Sequence, residues 1–430
     1  MAPTREILYL SRRIHMLLGK KTKITAVCFI GLVFILLVLI GPWAFFYQTR
    51  MLPTTALSPI DADIGQQWSA AELSEPQISA NYETLINARN TIGMPSVSAA
   101  IAYNGSLMWA GAVGYADLES ETQATVNSRY RLGSVSKSIT GTLLSILVDK
   151  DIVDLDTKAS DYMPALPAQL SQLTPRMLAS HTGGIRHYSG FPGYWPTWHP
   201  QFSNKSYASV AAGLGIFLKD DLLFPPGTNF NYSTYGFSLL SRLMEQASGM
   251  SFDKLLHNEI FTKAGMTNTQ IDHPGSMHNR VSFYTTAKGN YIETYPTNSS
   301  YKIAGGGIVS TPTDLVALGQ LLLNDELITV GAKLIMWTPA TLPGGVNNPQ
   351  NYGLGWRIDE SSRLSSEGKA VTIIHHGGSQ NGGVAFFMLI PSYGISVAAV
   401  SNTGAGNARR SVQAISNELV RLAVAEMDSD

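Results

Sequence analysis

Residues 131–149 read RLGSVSKSITGTLLSILVD, a Leu132-Gly133 turn followed by helical spacing. Ile139, Leu143, Leu144 and Leu147 recur at steps of three and four, which predicts a helix from Ser134 to about Asp149 with one buried stripe. Ser134 and Lys137 then share a face one turn apart, so an amine can hold and accept the proton of a hydroxyl. The amides at a helix start also favour negative charge beside that hydroxyl. The Ser-x-x-Lys spacing is not specific by itself, because Ser251/Lys254, Ser299/Lys302 and Ser366/Lys369 share it. Its plainer use is a serine N-cap, a reading that suits Ser251 ahead of FDKLLHNEIF equally well.

Strand signals lie on both sides of this helix. PSVSAAIAYNGSLMWAGAVGYAD (95–117) is rich in small and β-favouring residues, and Asn104-Gly105 predicts a hairpin turn within it. GGVAFFMLIPSYGISVAAVSNTG (382–404) predicts a second hairpin around Ser392-Tyr393-Gly394, with a final helix near 408–425. Strands from the two ends are therefore expected in one sheet. The middle mixes helical segments such as FSLLSRLMEQASG (237–249) and TDLVALGQLLLN (313–324) with Pro- and Gly-rich connections, and predicts a helical lobe. No internal repeat is present.

The chain has 430 residues and 30 basic against 31 acidic side chains, so no global field draws nucleic acid to it. Its one cysteine, Cys28, lies in the most apolar stretch, which excludes an internal disulfide and a cysteine-based metal site. Residues 24–46 carry no charge and as a helix span roughly 34 Å, enough for a bilayer core. Arg5, Arg12, Arg13, Lys20, Lys21 and Lys23 precede this stretch and only Arg50 follows closely. The expectation is a single-pass membrane protein with a cytoplasmic tail (1–23), a transmembrane helix (24–46) and a linker (47–80). The catalytic domain (81–430) would lie outside the cytoplasm, in the periplasm if the source is bacterial. A cleavable signal peptide and a buried core helix are the rival readings.

Two further motifs carry chemistry. FPPGTNFNYST (224–234) is a Pro-Gly turn that delivers Tyr232 just ahead of an apolar helix, and a nearby cation such as Lys137 would favour the phenolate. IHHGGSQNGG (374–383) follows the apolar strand AVTII, where glycines let backbone amides approach a ligand. His375 and His376 raise the question of a metal, but neighbouring strand residues face opposite ways and no further ligand is suitably spaced. Neither a metal nor a cofactor is expected. Asp314 reads as a helix-start carboxylate.

In their order the three motifs resemble the serine β-lactamase and penicillin-binding-protein superfamily, in its class C and D,D-carboxypeptidase branch. Val153 to Asp156, Tyr162 to Pro164, LASHTGGI (178–185) and AGGGIVSTPTDL (304–315) extend the resemblance over roughly residues 82–420. SHTGGIRHY (180–188) and YSTYGF (232–237) also resemble lactamase-like proteins of mitochondria. The resemblance implies an α+β fold, an antiparallel sheet flanked by helices plus a helical lobe, with the site between them. It makes Ser134 the acylated nucleophile, Lys137 its base or proton relay, and Tyr232 the proton shuttle to the leaving group. His376, or His375 if the register slides by one, would replace the lysine of the third motif. The amides of Ser134 and Ser379 would form an oxyanion hole.

Two departures stand out. Thr234 occupies the place of an asparagine that contacts substrate, and a histidine is only weakly cationic at neutral pH. The expected activity is hydrolysis of peptide-like amides or esters, small molecules or peptides, through an acyl-enzyme; the expected oligomeric state is left open. A member that binds such ligands without turnover is the alternative. His181 and His187 are expected to be structural, and a weakly cationic His376 predicts declining activity on acidic substrates at about pH 6 to 7.

Overall fold

A computed structural model describes residues 28–36, 38, 64–188, 205–273, 275, 277–287, 290–365 and 368–428. Seven strands form the main antiparallel sheet: β1 (Gly65–Ser69), β2 (Ser96–Tyr103), β3 (Ser106–Asp117), β4 (Arg357–Ser361), β5 (Val371–Gln380), β6 (Gly383–Ile390) and β7 (Ile395–Ser401). Their spatial order is β1-β3-β2-β7-β6-β5-β4, and the two-residue strand Thr122–Gln123 adds to β3. β2 pairs with β7 from Val97↔Ser401 to Ala102↔Ser396, so strands from the two ends of the chain do share one sheet. Asn104 and Gly105 both take positive φ, 55° and 76°, which matches the right-handed twist of the β2–β3 hairpin they close. Gly394, at φ 62°, closes the β6–β7 hairpin after the turn Pro391–Tyr393.

Both faces of the sheet are covered, which is why β2, β6 and β7 are buried at every position. Val97, Ala99, Ile101, Val397 and Ala399 point to one side, against Leu85 of α1 (Glu75–Ile92) and Val412, Leu419 and Val420 of a C-terminal helix, Ala408–Met427. Ala100, Ala102, Ala398 and Val400 point to the other, where small side chains let the helix Pro312–Leu323 come close. A Cβ on Gly319 of that helix would lie 2.5 Å from the Ser396 Cβ. The chain between β3 and β4 builds the helical lobe, including α2 (Ser136–Asp149) and α3 (Thr234–Ser248).

The helix expected from Ser134 begins instead with a single 3-10 turn, Gly133–Val135, and α2 proper starts at Ser136. Its burial is not a stripe: every residue from Ser136 to Leu147 is buried. Polar residues on the far side survive because each finds a partner. Ser138 donates to the Gly355 carbonyl at 3.0 Å, Thr140 to that of Ala304 at 2.7 Å and Ser145 to that of Gly141 at 2.9 Å. Each such bond is worth on the order of 1 kcal/mol net, but leaving its donor unpaired would cost more.

Two expectations need correction. Residues 65–69 and the start of α1 fall inside the stretch read as a linker. Trp68 and its neighbours pair with β3, and Ser74 caps α1 by accepting from the Gln77 amide with Pro76 in the first turn. Pro76 is thus a helix-start residue. The single-pass topology with an extracytoplasmic domain is also overturned, since among the described residues no helix is long and apolar enough to cross a membrane. Of 24–46 only residues 28–36 and 38 are described, as exposed or half-exposed helix, and the rest lies outside the described residues.

The contact that fixes the cleft is backbone on backbone. A Cβ on Gly378 of β5 would lie 1.9 Å from the Leu132 carbonyl oxygen and 3.0 Å from the Ser134 nitrogen, and one on Gly133 would lie 2.7 Å from the Ser379 nitrogen. Gly378→Ala is therefore expected to destabilise the protein by about 1–3 kcal/mol, whereas Gly331→Ala, in open space at a helix start, stays within about 0.5 kcal/mol or stabilises. Urea unfolding of both variants checks this, and equal midpoints would show that β5 can retreat from the turn.

Candidate active site

The 3-10 turn sets Ser134 at the edge of a cleft of about 330 Å³ between the sheet and the helical lobe, which Tyr232, Ser379 and Gly305 also line. Ser134 is half-buried, while Lys137, one turn on, has no exposed surface. Lys137 Nζ lies 3.4 Å from Ser134 Oγ, 3.0 Å from Thr234 Oγ1 and 2.5 Å from the Gly305 carbonyl oxygen. A neutral amine has two N–H donors and one lone pair. The Gly305 carbonyl can only accept and Thr234 Oγ1 accepts the second N–H, which leaves the lone pair for the Ser134 hydroxyl.

Electrostatics favour that neutral form. Burial first, then the positive charges of Lys302 and Arg357, hold Lys137 well below the ordinary lysine range. The Tyr232 ring sits 4.8 Å from Lys137 Nζ, and its hydroxyl hydrogen-bonds the Ser134 side chain. Burial pushes this phenol up to about 12, against the opposing pull of Ser134, Arg357 and Arg409. Tyr232 is thus a protonated donor at neutral pH, not the phenolate that a neighbouring lysine suggested.

The loop carrying Tyr232 is clamped by the HTGGI segment and by His187 just beyond it. The Asn231 amide donates to the His181 carbonyl at 2.9 Å, the Ser233 amide to His181 Nδ1 at 3.1 Å and the Thr234 amide to His187 Nδ1 at 3.2 Å. His181 takes a left-handed φ of 63° and packs its ring 4.3 Å from that of Tyr232 and 4.5 Å from that of Tyr352. Both histidines therefore position the loop. Asp314 is likewise structural: its carboxylate accepts from the Asn268 amide and the Thr269 hydroxyl beside the start of its helix.

His376 does not do what its place in the third motif implied. It is fully buried behind the cleft wall, with Nδ1 2.7 Å from the Gly377 carbonyl oxygen and Nε2 2.9 Å from the Tyr352 hydroxyl. A carbonyl only accepts, so Nδ1 carries the proton and Nε2 accepts from Tyr352. Burial, Arg357 and Lys137 hold the ring well below the ordinary histidine range, and it stays neutral where a cation was expected. His375 faces the opposite side of β5 and pairs with Asp359 at 2.8 Å, so sliding the register by one residue does not supply the cation either. A cation that does face the cleft is Arg357, 3.4 Å from His376 and held at 2.6 Å by the Gln350 side-chain carbonyl. Ser379 lines the cleft, with its amide against the turn that carries Ser134. Among the described residues no group of His, Cys, Asp and Glu is placed to hold a metal ion.

A serine, a buried amine and a phenol thus meet beneath a glycine-rich strand, and the family model described as Beta-lactamase matches residues 82–421. The chain belongs to the Beta-lactamase family. It is a serine hydrolase of the β-lactamase and penicillin-binding-protein type. It is similar to the human protein named "Serine beta-lactamase-like protein LACTB, mitochondrial", 24% identical over 393 residues that cover 73% of this chain and 72% of that one. It is also similar to the D-aminopeptidase of Brucella ovis, 27% identical over 295 residues, 64% of this chain and 52% of the other. The fold is shared with the D-amino acid amidase of Ochrobactrum anthropi SV3, at a TM-score of 0.67 and 23% identity over 83% of this chain and 99% of that one.

Several residues of this Beta-lactamase family site were not singled out from sequence. Thr234 was noted only for the asparagine it replaces, yet it holds Lys137; Gly305 does so through its carbonyl. Lys302 appeared only as an incidental Ser-x-x-Lys match, and Arg357, Tyr352 and Arg409 carried no local signal. Thr234→Val is expected to keep the fold and slow fluorophosphonate labelling of Ser134 by about tenfold, because a buried Lys137 N–H loses its acceptor. An unchanged labelling rate would mean that the Gly305 carbonyl alone orients the amine.

Proposed function

We propose that the protein hydrolyses amides or esters with a peptide-like acyl group through a covalent ester on Ser134. The observation that carries this reading is the placing of Lys137 Nζ among Ser134 Oγ, Thr234 Oγ1 and the Gly305 carbonyl, in surroundings that favour the neutral amine. In the first half, Ser134 Oγ attacks the carbonyl carbon and its proton passes to Lys137 Nζ. The oxyanion sits between the amides of Ser134 and Ser379, where one donor is worth about 3 kcal/mol. As the C–N or C–O bond breaks, the Tyr232 hydroxyl gives its proton to the leaving group and is reprotonated by Lys137. In the second half, water attacks the ester, gives a proton to Lys137, and Ser134 leaves as an alkoxide that takes that proton back. His376 supports the wall through Tyr352 and Arg357 and exchanges no proton with substrate.

Ser134→Ala is expected to abolish fluorophosphonate labelling and ester turnover together, and Lys137→Met to cut turnover by at least about a thousandfold. Turnover that persists in Ser134→Ala would end the proposal. Lys137 must be neutral, so kcat/KM on an uncharged ester rises with pH through a limb below the ordinary lysine range and stays level until Tyr232 ionises near 12. His376→Gln removes a neutral group and is expected to leave the position of that limb unchanged, which a pH titration of kcat/KM in both proteins checks.

A further inference from the structure

A second cavity, of about 420 Å³, shares no lining residue with the catalytic cleft. Its size is that of a small-molecule site. Arg131, Arg280, Val281, Phe283, Glu293 and Thr297 are in its wall. Gln380 of the cleft wall donates to Ser299, two residues past Thr297, at 2.8 Å, so the two spaces are neighbours. Two guanidiniums of the second cavity share one carboxylate: Asp272 takes Arg131 Nε at 2.8 Å and lies 3.3 Å from Arg280. An arginine cannot shed its proton to escape the resulting excess of positive charge.

Hydrogen-bonding capacity is left over at the same place. Arg131 is only 2% exposed; its Nε donates to Asp272 and its Nη1 to the Asn381 carbonyl at 3.0 Å, which leaves Nη2 without a partner among the described residues. The buried Arg280 Nε and Thr297 Oγ1 also lack one, and Thr297 is only 7% exposed. Unpaired donors away from bulk water are costly, and an anion rich in acceptors would satisfy several at once. The apolar side is formed by Val281 and Phe283. The Phe283 ring lies against both guanidiniums, 4.1 Å from Arg131 Cζ and 5.3 Å from Arg280 Cζ. It packs on the β5–β6 turn, where a Cβ on Gly382 would lie 2.5 Å from that of Phe283.

We propose that this cavity is a second ligand site, for a small molecule that joins one carboxylate to an apolar or aromatic body. The carboxylate pairs with Arg131 Nη2 and Arg280, the Thr297 hydroxyl donates to it, and the body lies along Val281 and Phe283. The site goes beyond the hydrolase reading and does not depend on it. Glu293 is the only acid among the residues lining the cavity and is itself exposed. Partial burial, then Asp117 and Glu119, push its pKa up. When ionised it opposes an anion, so removing its charge tightens binding.

The test is calorimetric titration of the full chain at fixed ionic strength, with phenylacetate as the probe and phenethyl alcohol as its uncharged match. Phenylacetate is expected to bind saturably and at least about tenfold more tightly than the alcohol. Arg280→Gln weakens its binding by about tenfold and Thr297→Val by about threefold, while Glu293→Gln tightens it by about threefold. Thr297→Val removes a hydroxyl that has no partner, so its Tm stays at or above the wild-type value and weaker binding there is not a loss of fold. The cleft is cationic too, and Arg357→Gln controls for it: the dissociation constant stays within about twofold, as it does in Ser134→Ala. Equal binding of acid and alcohol, a constant unchanged in either Arg280→Gln or Thr297→Val, or binding lost in Arg357→Gln overturns the site. Binding that survives in Ser134→Ala, whatever that variant does to turnover, keeps this outcome separate from the hydrolase reading.

Discussion

A lysine amine with no exposed surface and no carboxylate partner among the described residues is the constraint around which the site is built. In water Lys137 would be protonated and useless as a base. Here burial and two neighbouring positive charges weaken its hold on that proton, while two fixed acceptors, a threonine hydroxyl and a backbone carbonyl, take its N–H groups. The arrangement costs folding free energy because the unfolded chain would hold the proton more tightly. Catalytic sites commonly store such a cost, and the surrounding packing must meet it.

The scaffold meets it by making the amine's surroundings rigid. α2 is enclosed on all sides, with its polar groups matched to carbonyls from other segments, so Lys137 cannot swing toward solvent. The HTGGI segment and His187 just beyond it grip the backbone of the Tyr232 loop at the amides of Asn231, Ser233 and Thr234, fixing the phenol over the same hydroxyl. β5 closes the third side through glycines, since any side chain at Gly378 would meet the Leu132 carbonyl. Three separate parts of the chain therefore converge on one oxygen atom, and the sheet that joins the two chain ends holds β5 in place.

The cleft's charge belongs to the same design. Lys302 and Arg357 depress Lys137 and leave positive charge where a substrate enters. Two neutral histidines, His181 and His376, fill the space behind, where a charged ring would compete for the same desolvated volume. The substitution of histidine for lysine in the third motif thus moves the cation onto a neighbouring strand.

Much of this was legible along the chain. The hairpins at Asn104-Gly105 and Tyr393-Gly394, the terminal helix, the shared sheet and the meeting of Ser134, Lys137, Tyr232 and Ser379 all follow from turn chemistry, periodicity and motif order, because each depends on residues close in sequence or on a resemblance carried by several short motifs. What sequence could not decide were properties set by distant neighbours. Whether His376 is charged depends on its burial, on Arg357 and on Lys137, and whether Tyr232 donates or accepts depends on its burial; residues 65–69 become a strand only because β3 lies beside them. Lys302 looked like a coincidence of spacing because a one-dimensional string does not record that its buried amine lies close enough to lower Lys137. Protonation and charge balance are sums over three-dimensional surroundings, and only the tertiary structure supplies those surroundings.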